Sequence, residues 1–116
     1  MFKSISALLF AGVSAIGNTI DPSSYANIEE VVTTNLYLDI DVDFEKQQFV
    51  GDVYLNMRSI KDINSVFLDY QGIDVHEVSL WQDKSTSSFK KVNFTRHTDL
   101  NQNLGNALEI TLPKCK

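Results

Sequence analysis

The stretch that decides the fold is VTTNLYLDIDVDFEKQQFVGDVYLNMR, residues 32–58. In its first part, Val32 to Phe44, apolar and polar side chains alternate with the two-residue period of a β-strand. The apolar side chains of this segment are Leu36, Leu38, Ile40, Val42 and Phe44. The side chains between them are Tyr37, Asp39, Asp41 and Asp43. The pattern predicts one strand with an apolar face and a polar face.

A second alternating segment, Phe49 to Arg58, follows after the polar turn at residues 45–48. Its apolar positions share one parity and are Phe49, Val53, Leu55 and Met57. Its opposing positions are Asp52, Asn56 and Arg58. Two such segments joined by a short polar turn predict an antiparallel hairpin with one solvated side. We expect the apolar sides of both strands to lie on one core.

The residues after the hairpin continue the β pattern. Ser65 to Tyr70 is a short apolar run that ends at Gln71-Gly72. Ile73 to Trp81 is a second run, in which the parity of the apolar positions changes across His76-Glu77, as a bulge or bend would require.

The last part of the chain contributes shorter segments. Phe89 to Thr95 alternates weakly, and Thr98 to Asn106 is rich in Asn, Asp and Gly, which predicts a loop. Ala107 to Leu112 alternates cleanly and stops at Pro113. The chain therefore has five or six predicted strands and no predicted helix beyond its first residues, so the fold class is all-β, built on antiparallel hairpins.

The N-terminal segment, residues 1–17, differs in composition from the rest. Lys3 supplies a small positive region, and Ile5 to Ile16 is apolar or small. Ala15-Ile16-Gly17 fits the small-residue site of signal peptidase, which predicts a signal peptide cleaved before Asn18. Residues 13–15 offer a second site, and a buried N-terminal strand or helix is the alternative. The stretch is shorter than the roughly 20 residues that span a bilayer, so we expect no stable membrane insertion.

These features divide the chain into a signal peptide, 1–17, and one β domain, 18–116. The expected localisation is secreted or in the secretory pathway, and it is cytoplasmic if the segment is not cleaved.

Asn93-Phe94-Thr95 is an acceptor triplet for N-glycosylation at Asn93. Cys115 is the single cysteine, so no disulfide forms within the chain. Its partner would have to be another chain or sequence outside these residues.

The charge of the chain excludes one class of partner. With 10 basic and 15 acidic residues the formal net charge is -5, and without Lys3 it is -6. Phosphate binding needs clustered Lys and Arg, whereas here the basic residues are scattered apart from Lys90-Lys91. We therefore expect no nucleic-acid partner.

No catalytic or metal site is predicted from the motifs. Asp39-x-Asp41-x-Asp43 begins like a calcium loop, but Phe44 and Val50 occupy the positions that need Gly and Glu. We interpret the three aspartates as the solvated face of a strand. His76 and His97 are the only histidines and have no second ligand at helical spacing, and no serine lies in a G-x-S-x-G context. The expected catalytic, metal and cofactor residues are therefore none.

The order of the β segments resembles one known family. The segments that carry the resemblance are Leu36 to Phe44, Phe49 to Met57, Val66 to Asp69, Ile73 to Val78 and Leu108 to Pro113. In this order and spacing they resemble the start of the N-terminal domain of the zinc aminopeptidases (M1-type) related to leukotriene A4 hydrolase. The resemblance covers about residues 21–113, which is nearly all of the predicted mature chain.

The resemblance implies a saddle-like or sandwich β domain that is incomplete at its C-terminal side, since residues 18–116 correspond to about the first half of the family domain. Family members bind zinc with an H-E-x-x-H helix and a later Glu, and they recognise the substrate N-terminus with G-x-M-E-N. None of these motifs occurs in the 116 residues. Zinc is therefore expected only in a catalytic domain outside these residues, and peptide substrate only in the full enzyme. The signal-like start departs from the family pattern, because close relatives within this family resemble cytosolic enzymes.

Two functions follow as hypotheses. In the preferred one, the chain is a non-catalytic N-terminal β domain whose partner is the catalytic domain, on which it packs to frame the peptide-binding cleft. In the alternative, it is an autonomous secreted β-sandwich module that binds a protein or carbohydrate partner through a sheet face or through Tyr37, Tyr54 and Trp81.

Overall fold

A computed structural model of the chain describes residues 22–81 and 88–114. These residues form seven strands, β1 Val31–Asp43, β2 Gln48–Ser59, β3 Ser65–Tyr70, β4 Ser79–Leu80, β5 Lys90–Lys91, β6 Phe94–Asn101 and β7 Gly105–Thr111. Every strand pair is antiparallel, and no helix occurs in the two described ranges. The predicted all-β class is confirmed. The predicted signal peptide, residues 1–17, and Cys115 lie outside the described residues.

The strands form three separate sheets, β1-β2, β3-β7-β6 and β4-β5. The predicted hairpin is confirmed, because β1 and β2 pair over their full lengths and begin and end within one residue of the predicted bounds. Leu36 lies opposite Leu55 and Leu38 opposite Val53, so the apolar positions of both strands share one face. The register shifts at Thr34, whose hydroxyl donates to the carbonyl oxygen of Asn56.

The predicted core beneath the hairpin is wrong for the residues that the structure describes. Leu38 and Ile40 are 53% and 50% exposed, and Phe49 is 75% exposed. The buried apolar side chains are instead Val31, at the start of β1, and Val66, Ala107 and Leu108 in β3 and β7. Alternation identifies the side chains that share a face, whereas burial also requires an element to cover that face, and the described elements leave Leu38, Ile40 and Phe49 uncovered.

The three-stranded sheet corrects the prediction of a loop at residues 98–106. β6 continues to Asn101 and β7 begins at Gly105, where the two residues pair. The turn itself is short, because the Leu104 N–H donates to the Asn101 carbonyl oxygen at 3.2 Å. Gly105 follows with a φ of 76°, a conformation that glycine adopts without steric cost. The Asn-rich composition marks this turn, but the residues on either side of it pair as strands.

The predicted strand at Ile73 to Trp81 is wrong for most of its length, since only Ser79–Leu80 forms a strand. A long-range contact accounts for the difference. The Arg96 guanidinium donates to the carbonyl oxygen of Val75 and to Asp74 Oδ1, the latter at 3.2 Å. A side chain therefore occupies the backbone acceptor that a neighbouring strand would use. Gly72, at a φ of 67°, turns the chain before this segment.

Asn27 connects the hairpin to the three-stranded sheet. Its Oδ1 accepts the Phe67 N–H at 2.9 Å, and its Nδ2 donates to the Ser65 carbonyl oxygen at 3.1 Å. The side chain thus bonds to the free edge of β3 as another strand would. Its own carbonyl oxygen accepts the N–H groups of Glu30 and Val31, where β1 begins. One residue therefore blocks a sheet edge and fixes the start of the hairpin.

Gly51 allows the two hairpin strands to approach closely. It lies opposite Ile40, and a Cβ at this position would collide with the Asp39 carbonyl oxygen and lie 2.8 Å from the Ile40 Cα. Both neighbours are backbone atoms, so no side-chain rotation relieves the contact. The pairing of β1 with β2 therefore requires glycine here.

We predict that Gly51→Ala lowers the free energy of unfolding by about 1–3 kcal/mol, because the added methyl pushes the strands apart. Asp52→Ala is the matched control, since it is one residue away and removes a carboxylate that faces Asp39 across the ladder. Urea titration followed by far-UV circular dichroism measures both. Equal stability of the glycine variant and the wild type would contradict the close approach.

Candidate functional site

The hairpin leaves an apolar surface in solvent, which we call the hairpin apolar face. It consists of six side chains that are between 48% and 75% exposed: Leu36, Leu38, Ile40, Val42, Phe49 and Val53. It contains no charged side chain. Exposed apolar patches of more than a few hundred Å² on soluble proteins usually mark contact surfaces. This face is therefore a candidate contact surface.

The opposite face of the hairpin carries an aromatic row, Tyr37, Tyr54, Phe89 and Trp81. Tyr37 and Tyr54 are cross-strand neighbours with ring centroids 5.8 Å apart. Phe89, which precedes β5, lies 6.3 Å from Tyr54 and 6.0 Å from Trp81. The structure thus brings together the three aromatic residues of the sequence-based hypothesis. Phe89 was missed, because its segment alternates too weakly to assign its side chain to a face.

Next to the aromatic row the same face is acidic. Asp39 lies directly opposite Asp52, and Asp41 follows two residues along β1. Like charges in facing positions of an antiparallel pair repel. In the part of the chain that the structure describes, none of these three carboxylates forms an ion pair with a basic side chain. The interpretation of Asp39, Asp41 and Asp43 as the polar face of a strand agrees with their register.

Asp43 has a structural role at the hairpin turn. Its Oδ1 accepts the N–H groups of Lys46 and Glu45, at 3.0 and 3.1 Å, and its Oδ2 lies 3.3 Å from the Lys46 Nζ. The backbone N–H of Lys46, followed by its ammonium group and the Glu45 N–H, holds the pKa of Asp43 below its ordinary value. The carboxylate therefore closes the turn, in which Gln47 adopts a φ of 53°.

A polar cluster on the three-stranded sheet joins residues of all its strands. Glu109 Oε2 lies 2.8 Å from His97 Nε2, and Glu109 Oε1 accepts the Ser65 hydroxyl at 3.0 Å. The carboxylate sits between the serine and the histidine, whereas nucleophilic catalysis needs the base next to the hydroxyl. The hydrogen bonds from His97 and then Ser65 lower the pKa of Glu109. The cluster therefore connects the three strands, and its geometry does not place a histidine base next to the serine hydroxyl.

The remaining sequence-predicted residues lie apart from this cluster. His76 is exposed in the irregular segment before β4, and Asn93 is exposed just before β6. Within residues 22–81 and 88–114, no three or more His, Cys, Asp or Glu side chains lie close enough to hold a metal ion. These residues therefore do not fit a zinc site. In the same ranges, no helix is long and apolar enough to cross a membrane.

A shallow pocket of about 320 Å³ lies where the hairpin meets β3. Its walls are almost entirely apolar and include Val31, Met57 and Phe67, with Asn27 as a polar wall residue. Asn27 is already bonded to β3 and to Glu30 Oε2, so it offers little to a polar ligand. The pocket is a packing gap at the junction of the two sheets.

The lowered pKa of Glu109 gives a pH prediction. A carboxyl group whose pKa is lower in the folded state than in the unfolded state stabilises the fold at pH values above its ordinary pKa of 4.5. This stabilisation is lost as the pH falls through the pKa of the folded state. We expect Glu109→Gln to lower the urea midpoint at pH 6 and to approach the wild type as the pH falls through the folded-state pKa of Glu109. Glu29→Gln, at an exposed turn, controls for the loss of one charge. Equal pH dependence of the two variants would contradict the cluster.

Curated proteins that are similar to the chain include two named aminopeptidase-related proteins. The chain is 33% identical over 70 residues, 60% of its length, to leucine aminopeptidase 2 of Phaeosphaeria nodorum. It is 32% identical over 83 residues, 70% of its length, to the leukotriene A-4 hydrolase homolog of Botryotinia fuckeliana. The matches span 11% and 13% of those two proteins. No protein-family model matches the chain, and no solved structure matches it significantly.

The relationship agrees with the β segments from which the family resemblance was predicted. Both relatives carry aminopeptidase or leukotriene A-4 hydrolase names, and the match to the second covers more than two thirds of the present chain. The chain spans about one eighth of the length of these relatives. The two relatives support the predicted resemblance of the chain to a part of an M1-type aminopeptidase related to leukotriene A4 hydrolase.

Proposed function

We propose that the chain is a non-catalytic, N-terminal β domain of a leukotriene A4 hydrolase-like zinc aminopeptidase. In the full enzyme this domain packs on the catalytic domain and helps to frame the cleft that binds the peptide substrate. The family relationship supports the proposal, together with the small share of each relative that the match covers. A domain with this role needs a contact surface and no reactive groups of its own.

The observation that carries the proposal is the hairpin apolar face. Its six side chains are uncharged, and Phe49 is 75% exposed. Surfaces that meet water permanently carry charges among their apolar residues, whereas surfaces buried in stable contacts resemble a core cut in half. The hairpin apolar face has the uncharged composition of a surface that is buried in a stable contact. It therefore supports a stable contact with further polypeptide, as packing on a catalytic domain requires.

The chemistry of the described residues agrees with a non-catalytic role. Catalytic zinc takes three protein ligands and a water molecule. His97 is engaged with Glu109, and His76 lies exposed in a different segment. The H-E-x-x-H and G-x-M-E-N motifs of the family do not occur in residues 1–116. On this proposal zinc belongs to the catalytic domain.

We predict that the purified chain binds no zinc stoichiometrically and cleaves no aminoacyl chromogenic substrate. Metal analysis after dialysis against micromolar zinc, with a substrate assay on the same sample, measures both. A curated relative with aminopeptidase activity serves as the positive control. One tightly held zinc per chain, or hydrolysis that a chelator abolishes, would contradict the proposal.

The aromatic row supports a second candidate, an autonomous secreted module that binds a partner. Tyr37, Tyr54 and Trp81 are each between 44% and 60% exposed. Their rings are tilted by 46° to 61° from the neighbouring rings of the row, so they do not form the flat platform on which sugar rings stack. Within this candidate a protein partner is therefore favoured over a carbohydrate. An in-frame H-E-x-x-H codon run downstream in the transcript would exclude it, and its absence would favour it.

We also propose that the chain enters the secretory pathway through a signal peptide at residues 1–17 and is glycosylated on Asn93. Asn93 and Thr95 of the acceptor triplet are exposed, as glycan transfer requires. Expression in a secretory host should give a product that begins near Asn18 and loses mass with an N-glycosidase. Asn93→Gln is the control for the glycan. A product that retains Met1 would contradict the signal peptide.

A further inference from the structure

We infer that the aromatic row, together with the carboxylates beside it, binds an extended, arginine-rich segment of a partner polypeptide. This assignment gives the chemistry of the partner for the candidate role of the row, and it does not depend on the proposed aminopeptidase function. The site lies on the other side of the two hairpin strands from the hairpin apolar face. Both faces can therefore be engaged at the same time.

The spacing of the rings fits an extended chain. From Tyr37 through Tyr54 and Phe89 to Trp81, successive ring centroids are 5.8, 6.3 and 6.0 Å apart. In an extended strand every second side chain points to the same side, at intervals of roughly 6.6 Å. The rings are open to solvent, since Tyr37 is 60% and Phe89 56% exposed. A partner segment can therefore place one side chain on each successive ring.

The carboxylates decide the charge of the partner. Asp39 and Asp52 face each other across the ladder, two residues along from the facing pair Tyr37 and Tyr54. Like charges in facing positions destabilise a strand pair. Neither aspartate has a basic partner among the described residues. A cation bound between the two carboxylates replaces this repulsion with two attractions, so the face is complementary to a cationic side chain.

The combination of rings and carboxylates favours arginine over lysine. A guanidinium group is planar, donates several N–H bonds and stacks on aromatic rings, whereas an ammonium group is a strongly hydrated point charge. Neighbours on one face of a strand are roughly 7 Å apart, so an arginine over the Tyr54 ring can direct its N–H groups at Asp52. The chain contains the same arrangement internally. The Arg96 guanidinium lies 5.4 Å from the centroid of the Phe94 ring and donates to Asp74 Oδ1.

The test uses the fluorescence of Trp81, the single tryptophan of the chain, which lies at one end of the row. The probe is a synthetic peptide of alternating arginine and serine, about eight residues long and blocked at both ends, added to the full chain at low salt. We expect a saturable change in emission with a dissociation constant on the order of 10–100 µM. A peptide of alternating lysine and serine carries the same charge and should bind at least about threefold more weakly.

Two pairs of variants locate the binding. Asp52→Asn keeps the shape of the side chain and removes its repulsion from Asp39, and it should raise the dissociation constant of the arginine peptide at least about fivefold. Asp62→Asn is the matched control, because it removes an exposed carboxylate between β2 and β3, and it should change the constant less than about twofold. Tyr37→Leu should raise the constant at least about threefold, whereas Phe49→Leu, which removes a ring from the hairpin apolar face, should not.

Three results would overturn the site: no saturable change with the arginine peptide, equal affinity for the arginine and lysine peptides, or equal effects of the two asparagine variants. The last two would show a general attraction to the formal net charge of -5. Far-UV circular dichroism checks that each variant keeps its strands, and Asp39→Asn replaces Asp52→Asn if the latter unfolds. Absence of peptide binding would leave the proposed aminopeptidase function untouched, because metal and substrate assays test that function separately.

Discussion

The arrangement of the two main sheets depends on the hydrogen bonds of Asn27. Its side chain accepts from the Phe67 N–H and donates to the Ser65 carbonyl oxygen, and its carbonyl oxygen receives the N–H groups at the start of β1. Each such bond contributes about 0.5–1.5 kcal/mol, and the partners in β3 would otherwise lack a protein acceptor or donor. The bonds fix where the hairpin leaves the sheet. They also place Val31 in the small core.

This anchoring leaves the rest of the hairpin extended into solvent with two different faces. One face is uncharged and half exposed at Leu38 and Ile40, and the other combines an aromatic row with aspartates that have no basic partner among the described residues. A two-stranded sheet on its own is marginally stable in water, so a covered apolar face would add stability. In the proposed function, packing on further polypeptide of an aminopeptidase covers this face.

The sequence predicts the hairpin well, because two-residue alternation is local and strong on both sides of Leu38. It also predicts that Tyr37 and Tyr54 share a face. Alternation contains no information on what covers a face, which is why the expected core beneath the hairpin is absent from the described residues. The irregular course of residues 73–78 depends on Arg96, more than 20 residues away. The hydrogen bond between Asn27 and Phe67 likewise joins residues that are 40 positions apart, a separation at which local sequence patterns carry no information.

The solvent exposure of the hairpin apolar face is the central claim, and methyl NMR of the chain tests it most directly. Spectra are recorded at a concentration where sedimentation shows a single copy. The account predicts nuclear Overhauser effects from the Leu38 methyls to Val53, its cross-strand neighbour, and none to the methyls of β3, β6 or β7. Strong effects between Leu38 and core methyls such as those of Leu108 would contradict it, because they would show that the hairpin folds back onto the sheet.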